Sequence, residues 1–453
     1  MTNEPGEEPN PFRGTPFEQI FGMFSGGLGG AAGGGLPGTG AGMPDLSALM
    51  SQVQAMMQPH EGAVNWDLAK DVARRASAQE PDPSVSSADN TRVADALRLA
   101  DHWLDSATEL PSGVSTASGW SRAEWIEQTL PVWQTLVEPV AEHVVGAMTT
   151  ALPEEAKQMA GPFAAILGQA GGAMFGNQVG QALAGLAGEV LGASDIGLPL
   201  APAGKAALLP ANVHSFAEGL DVPEGDVTLF VALREAAHQR LFAHVPWLSA
   251  HLVAAVEDFG RGTTIDMSAI EEKVSGIDPT NPAALQEALQ DGLFEPQKTP
   301  AQQAALVRLE TMLALVEGWV DEVVSQATAG RMPNATKLQE LIRRRRAAGG
   351  PAEVAFAALV GLELRPRRLR DAAALWGNLR SRKGAAARDA VWAHPDLLPT
   401  AADLDDPLGF GERADAVASF ADQDFDAALA QLLDDERGPA GDEGGPAGDE
   451  PKA

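Results

Sequence analysis

Apolar residues recur at spacings of three and four along most of this chain, which is the period of an amphipathic helix. WDLAKDVARRASA from Trp66, VADALRLADHWLDSA from Val93 and SRAEWIEQTLPVWQTLVEPVAEHVVGAM from Ser121 carry that period clearly. Alternating patterns are scarce, and AALLPANV from Ala206 is the best strand candidate. Asn10-Pro11, Asn281-Pro282 and Thr299-Pro300 read as helix starts, with a capping residue followed by Pro at the first helical position. Gly292 and Gly330 are natural stops for the helices that begin at Pro282 and Pro300. The pattern predicts a mainly α fold, a multi-helix body with few or no strands.

One segment departs from amphipathic patterning. From Gln158 to Gly188 there is no charged residue, and Gly168, Gly172, Gly176 and Gly180 recur every four positions. Small residues in that register line one helix face and let two backbones approach closely. The run is long enough to span a membrane, but Gln169, Asn177, Gln178 and Gln181 lie near its centre. A buried, tightly packed helical hairpin is therefore the expectation, with no membrane span. At the ends the helical period disappears. Residues 1–60 are Gly-rich and broken by Pro, and residues 437–453 contain the tandem GPAGDEG and GPAGDEP. Neither end can bury enough apolar surface to offset backbone entropy, so both read as disordered termini around a body at residues 61–436.

Composition narrows the chemistry. There is no cysteine among the 453 residues, which excludes disulfides and thiolate metal sites. Any metal must be held by His, Asp or Glu, and there are only 8 His. The N-terminal MTNEPGEEPNPFRG carries acids and no apolar core, so the expected location is cytoplasmic. A net charge of −30 argues against nucleic acid as a partner. The charge is uneven, however: Arg331–Arg388 holds 14 Lys or Arg against 4 Asp or Glu. Arg343 to Arg346 precede Gly349-Gly350. Pairing with the protein's own acids is the simplest role for these cations, and part of it is helix C-terminal capping.

The candidate chemistry lies in DVTLFVALREAAHQRLFAHVPWLSAH, with Asp226 as the expected N-cap. Arg234 and His238 are four apart and share a helix face, with Glu235 beside them. The H-E-x-x-H zinc helix has this layout, with two His as ligands and the Glu after the first activating water. Here the text is R-E-A-A-H. Glu235 stands at the catalytic base position and His238 at the second ligand position. Arg234 fills the first, and a guanidinium cannot ligate. A second signal is PAQQAALVRLETMLALVEGWVDEVVSQATA from Pro300, where Glu317 falls on the apolar stripe and Asp321 follows one turn later. A buried carboxylate needs a partner. Glu317 is a candidate metal ligand, and Asp321 a candidate carboxylate behind it. Plainer roles stand beside these: His238 as a core histidine, Glu235 as a solvated helix residue, and Glu317 simply paired with Arg234. His244, six residues after His238, is a further candidate ligand, although Leu241 stands where a turn-forming Gly would help; His251 is a more distant substitute.

REAAHQRLFAHVPWL and LALVEGWVDEVV, with VNWDLAKDVARR, GLELRPRRLRDAAALWG and WAHPDLLPTAADLDDP, resemble the actinobacterial zincin-like metallopeptidase type 2 family. The resemblance runs from Asn65 to about Pro407. It implies a zincin-like helical body and a zinc-dependent metalloprotease or hydrolase acting on a peptide or protein, in a family partly associated with deazaflavin coenzyme biosynthesis. It also implies Glu235 as base, with His238 and Glu317 as ligands. Arg234 is the departure from that pattern. The alternative is a non-catalytic relative that binds a protein or peptide partner, holding no cofactor because Arg234 fills the metal position.

Overall fold

A computed structural model describes residues 60–150, 161–261, 299–347, 368–410 and 412. The expectations for both termini, Asn10-Pro11, Asn281-Pro282 and Gly292 lie outside these residues. Among the described residues the order is α1 (Trp66–Ser77), α2 (Ser87–Leu104), β1 (Thr116–Gly119), α3 (Arg122–Thr150), α4 (Gly161–Glu189), β2 (Lys205–Leu208), α5 (Pro210–Ala217), α6 (Glu224–His244), α7 (Pro246–Arg261), α8 (Pro300–Thr328), α9 (Ala335–Ala347), α10 (Leu369–Ala390) and α11 (Ala401–Asp405). β1 and β2 form a two-stranded parallel pair. β2 covers the start of the expected strand, and Pro210 opens α5 where the strand pattern ran on. β1 has no alternating signal in TASG.

Local sequence sets the helix starts. Asn65 Oδ1 accepts from the Leu68 amide at 3.0 Å to cap α1, and Ser86 Oγ accepts from the Asp89 amide at 3.1 Å to cap α2. Thr299 and Gln302 form a reciprocal capping box ahead of α8, with Pro300 at the first turn. α8 ends at Thr328, and Gly330 follows in the left-handed region at φ 71°. Asp226 is not the cap of α6. The helix begins at Glu224, so Asp226 lies in its first turn, where Oδ2 accepts from Asn334 Nδ2 at 2.8 Å.

The Gly-rich segment is one continuous helix, α4, rather than a hairpin of its own. It packs on α1 through its glycines. A Cβ at Gly176 would lie 2.4 Å from the Asn65 carbonyl oxygen, and one at Gly180 would lie 2.6 Å from that of Ala69. No helix among the described residues is long and apolar enough to cross a membrane. α6 runs through the centre, packed by α2, α8, α5 and β2. Its residues from Phe230 to Leu241 are all buried. A helix buried on every side shows no amphipathic stripe, so polar residues in it must be satisfied from neighbouring elements.

Candidate functional site

Two buried helices bring the REAAH residues and the α8 acids together. Arg234, Glu235 and His238 on α6, and Glu317 and Asp321 on α8, are each at most 4% exposed. Glu317 is the hub. Its Oε2 accepts from Arg234 at 2.5 Å. Its Oε1 lies 2.9 Å from His238 Nε2 and 2.8 Å from an Arg346 guanidinium nitrogen. Arg346 comes from α9, the element with the Arg run. Its neighbours reach the same region: Arg343 Nε donates to Asp321 Oδ2 at 3.2 Å, and Arg345 lies 3.2 Å from Asp195 Oδ2. Arg346 also donates to the Asp195 carbonyl. Arg234 lies 3.9 Å from Asp321 Oδ1.

The loop between α4 and β2 closes the other side. Ser194 donates its amide to Glu235 Oε2 at 2.8 Å, and Gln239 donates to Oε1 at 3.0 Å. The Leu191 amide donates to Asp195 Oδ2 at 3.0 Å. Two glycines let this backbone lie against the carboxylates. A Cβ at Gly192 would be 2.9 Å from Glu235 Oε2, and one at Gly197, at φ 77°, would be 2.7 Å from Glu317 Oε1. Leu191, Gly192, Asp195, Val231, Arg234, Glu235, His238 and Ile342 line a cavity of about 10 Å³, on the scale of a single water.

Three of the site's acids depart from ordinary ionisation, Glu235 upwards and Glu317 and Asp195 downwards. Burial lifts the Glu235 carboxyl to about 7, against the opposing pull of the Ser194 amide and Gln239. Burial also pushes Glu317 up, but Arg346, His238 and Arg234 outweigh it and hold Glu317 well below the usual carboxylate range. Asp195 is likewise held low, with the charges of Arg345 and Arg346 overcoming its burial. At neutral pH Glu317 is therefore a carboxylate held by cations, while Glu235 is divided between acid and carboxylate.

The family model for zincin-like metallopeptidases matches residues 64–410, most of the chain. This chain belongs to the zincin-like metallopeptidase family. Among solved structures, a Chloroflexus aurantiacus protein described as "a putative hydrolase with a novel fold" is similar in fold, with a TM-score of 0.56 at 20% identity. The match covers 78% of this chain and 99% of that one. No curated protein matches this chain.

Within this family frame, the residue set is a poor fit to zinc. A zincin site takes three protein ligands and leaves a fourth position open. His238 and Glu317 meet, but no group of three or more His, Asp or Glu able to hold a metal is found among the described residues. Both Glu317 oxygens already accept from guanidinium groups. His244 is still helical and exposed, with Nε2 lying 3.4 Å from the Ser112 carbonyl. It does not join His238 and Glu317. His251, on α7, sets its ring edge-on to Trp247. Arg343, Arg345, Arg346 and Asp195 were not legible as site residues. Only the density of Arg in α9 marked that helix, and nothing in the sequence says which carboxylates it meets.

Proposed function

We propose that this chain is a non-catalytic zincin-like protein that binds a protein or peptide partner, with guanidinium groups in place of the metal. The observation that carries this reading is the cage around Glu317, whose oxygens are taken by Arg234, Arg346 and His238. A carboxylate in such a cage is satisfied in charge and geometry without a cation from solution. The burial of the whole constellation supports the same reading: with α9 in place, the cavity beside Glu235 is about 10 Å³, on the scale of a single water.

A metal-dependent peptide hydrolase is the second reading. It draws on the family and on Glu235, whose carboxyl near 7 suits proton transfer at neutral pH. It requires a third ligand that His244 does not supply. A cytoplasmic location is part of the proposal; among the described residues no helix is long and apolar enough to cross a membrane. An actinobacterial source and a role around deazaflavin coenzyme synthesis belong to it on the sequence resemblance alone.

Metal analysis separates the two readings. Wild-type protein purified without chelator is expected to hold substoichiometric zinc. Arg234→His combined with Arg346→Gln rebuilds H-E-A-A-H and frees Glu317, and this variant is expected to take up zinc stoichiometrically. Stoichiometric zinc in the wild type, lost in His238→Ala, would overturn the non-catalytic reading.

A further inference from the structure

We infer that α9 is an internal pseudoligand and that the site beneath it is a receptor for an arginine-containing peptide segment. The inference rests on the non-catalytic, partner-binding reading and names the partner's chemistry.

Three observations support it. The first is how α9 is held. Among its described residues, only Leu338 and Ile342 are buried, at 0% and 2% exposure. Beside Gln339, which donates to the Asp321 carbonyl at 3.2 Å, its attachments to the site are arginines, each meeting a carboxylate on another element: Arg343 on Asp321, Arg345 on Asp195, and Arg346 on Glu317 and Asp195. Arg345 and Arg346 also donate to the main-chain carbonyls of Glu189 and Asp195. Forked donors on paired carboxylates and carbonyls are how a protein recognises arginine in a partner. Here the recognised arginines are the chain's own.

The second observation is unmet hydrogen bonding. Arg234 Nε and His238 Nδ1 are buried and have no hydrogen-bond partner among the described residues. Both residues line the cavity that Ile342 of α9 closes. A peptide backbone would bring what the α9 side chains do not provide: a carbonyl acceptor for Arg234 Nε and, with His238 Nε2 donating to Glu317, an N–H donor for His238 Nδ1. The third is the tether. α9 follows α8 through residues 329–334, which include Gly330 at φ 71°, a position suited to a change of direction. Displacing α9 would expose Asp195, Glu317 and Asp321 with Arg234 as the cation left in the site, so an incoming arginine would restore the charge balance.

The absence of cysteine makes the test clean. Ile342→Cys places the sole thiol under α9, and Val324→Cys, in the core of α8, reports global opening. The ligand is a blocked synthetic peptide with the sequence of residues 340–347, compared with a version carrying Lys at every Arg position. The arginine peptide is expected to speed labelling of Ile342→Cys at least tenfold and to leave Val324→Cys unchanged. It is also expected to bind Arg345→Gln/Arg346→Gln at least tenfold more tightly than wild type. The lysine peptide is expected to bind at least tenfold more weakly than the arginine peptide. Arg345→Lys/Arg346→Lys, which retains the charges, carries the same comparison if the Gln variant does not fold. Equal binding of the two peptides, unchanged Ile342→Cys labelling, or equal acceleration at Val324→Cys would each overturn the inference. These results are independent of zinc content: a zinc-poor wild type that ignores the peptide sinks the inference and leaves the function proposal standing.

Discussion

At the scale of the residue, Glu317 carries more of the site than Arg234 does. Arg234 pairs closely with Glu317, which keeps Arg346 and His238 when Arg234 is removed. Glu317→Leu instead takes the shared carboxylate from two guanidinium groups and His238 at once. Breaking a buried pair by deleting one partner costs about 3–5 kcal/mol. Glu317→Leu is expected to lose that much in urea denaturation, and Arg234→Met clearly less; equal losses would show that Arg234 alone holds Glu317. Glu235 supplies a pH signature. Its folded value, about 7, lies above the ordinary 4.5, so between those values the folded state keeps a proton that the unfolded state has released. Its stabilising contribution is complete below 4.5 and is lost as pH rises towards 7, on the order of 3 kcal/mol. Glu235→Gln is expected to remove that part of the decline between pH 4.5 and about 7, and parallel wild-type and variant curves would refute the shift. The opposite slope belongs to Glu317 and Asp195, whose lowered values remove stability as pH falls through the acid range.

At the scale of the element, legibility followed the type of burial. α1, α2 and α3 pack one face against neighbours, so their spacing predicted them, and Thr299-Pro300 marked the start of α8 by capping chemistry. The four-residue spacing in the segment of α4 correctly predicted close backbone contact, although the segment is one helix and not a hairpin. α6 was read as a helix from its motif, but its burial on all sides was not legible, because the solvated-face reading of Glu235 presumes a face in water. The pairing of β1 with β2 depends on a contact across 89 positions in register and on no local signal. The α1–α4 contact gives a direct test. At Gly180 a Cβ would meet the Ala69 oxygen and the Val72 Cβ, both at 2.6 Å, whereas at Gly185 it would meet nothing within 4 Å. Gly180→Val is expected to cost about 1–3 kcal/mol through overpacking. Gly185→Ala is expected to gain about 0.5–1 kcal/mol of helix propensity. Thermal unfolding of the two variants should move in opposite directions, and two shifts of the same sign would place the α1–α4 contact elsewhere.

At the scale of the whole molecule, the basic stretch and the acidic surplus meet inside the protein. α8 presents buried acids in two directions. Glu317 and Asp321 face arginines of α6 and α9, and Glu322 is paired with Arg380 and Arg388 of α10. The expectation that Arg331–Arg388 pairs with the chain's own acids thus acquires a physical purpose, since these pairs join elements distant in sequence. Asp389 shows this most clearly. Its Oδ1 accepts from Trp319 Nε1 at 2.9 Å and from Arg388 Nε at 2.8 Å, and its Oδ2 accepts from Thr108 Oγ1 at 2.7 Å and from the Glu109 amide at 2.8 Å. One carboxylate therefore links α8, α10 and the loop after α2, across 281 positions of sequence. Asp389→Ala leaves Arg388, which is fully buried, and the Thr108 and Trp319 donors without that acceptor. The expected loss is about 3–5 kcal/mol. Because the link joins parts of one core, urea unfolding is expected to stay a single transition with an unchanged slope. Asp95 is the control: its pair with Arg98 is exposed on α2, and Asp95→Ala is expected to shift stability by less than about 1 kcal/mol. A broadened or two-step transition in Asp389→Ala would show instead that α10 unfolds apart from the body, and that the buried pairs link two separable units.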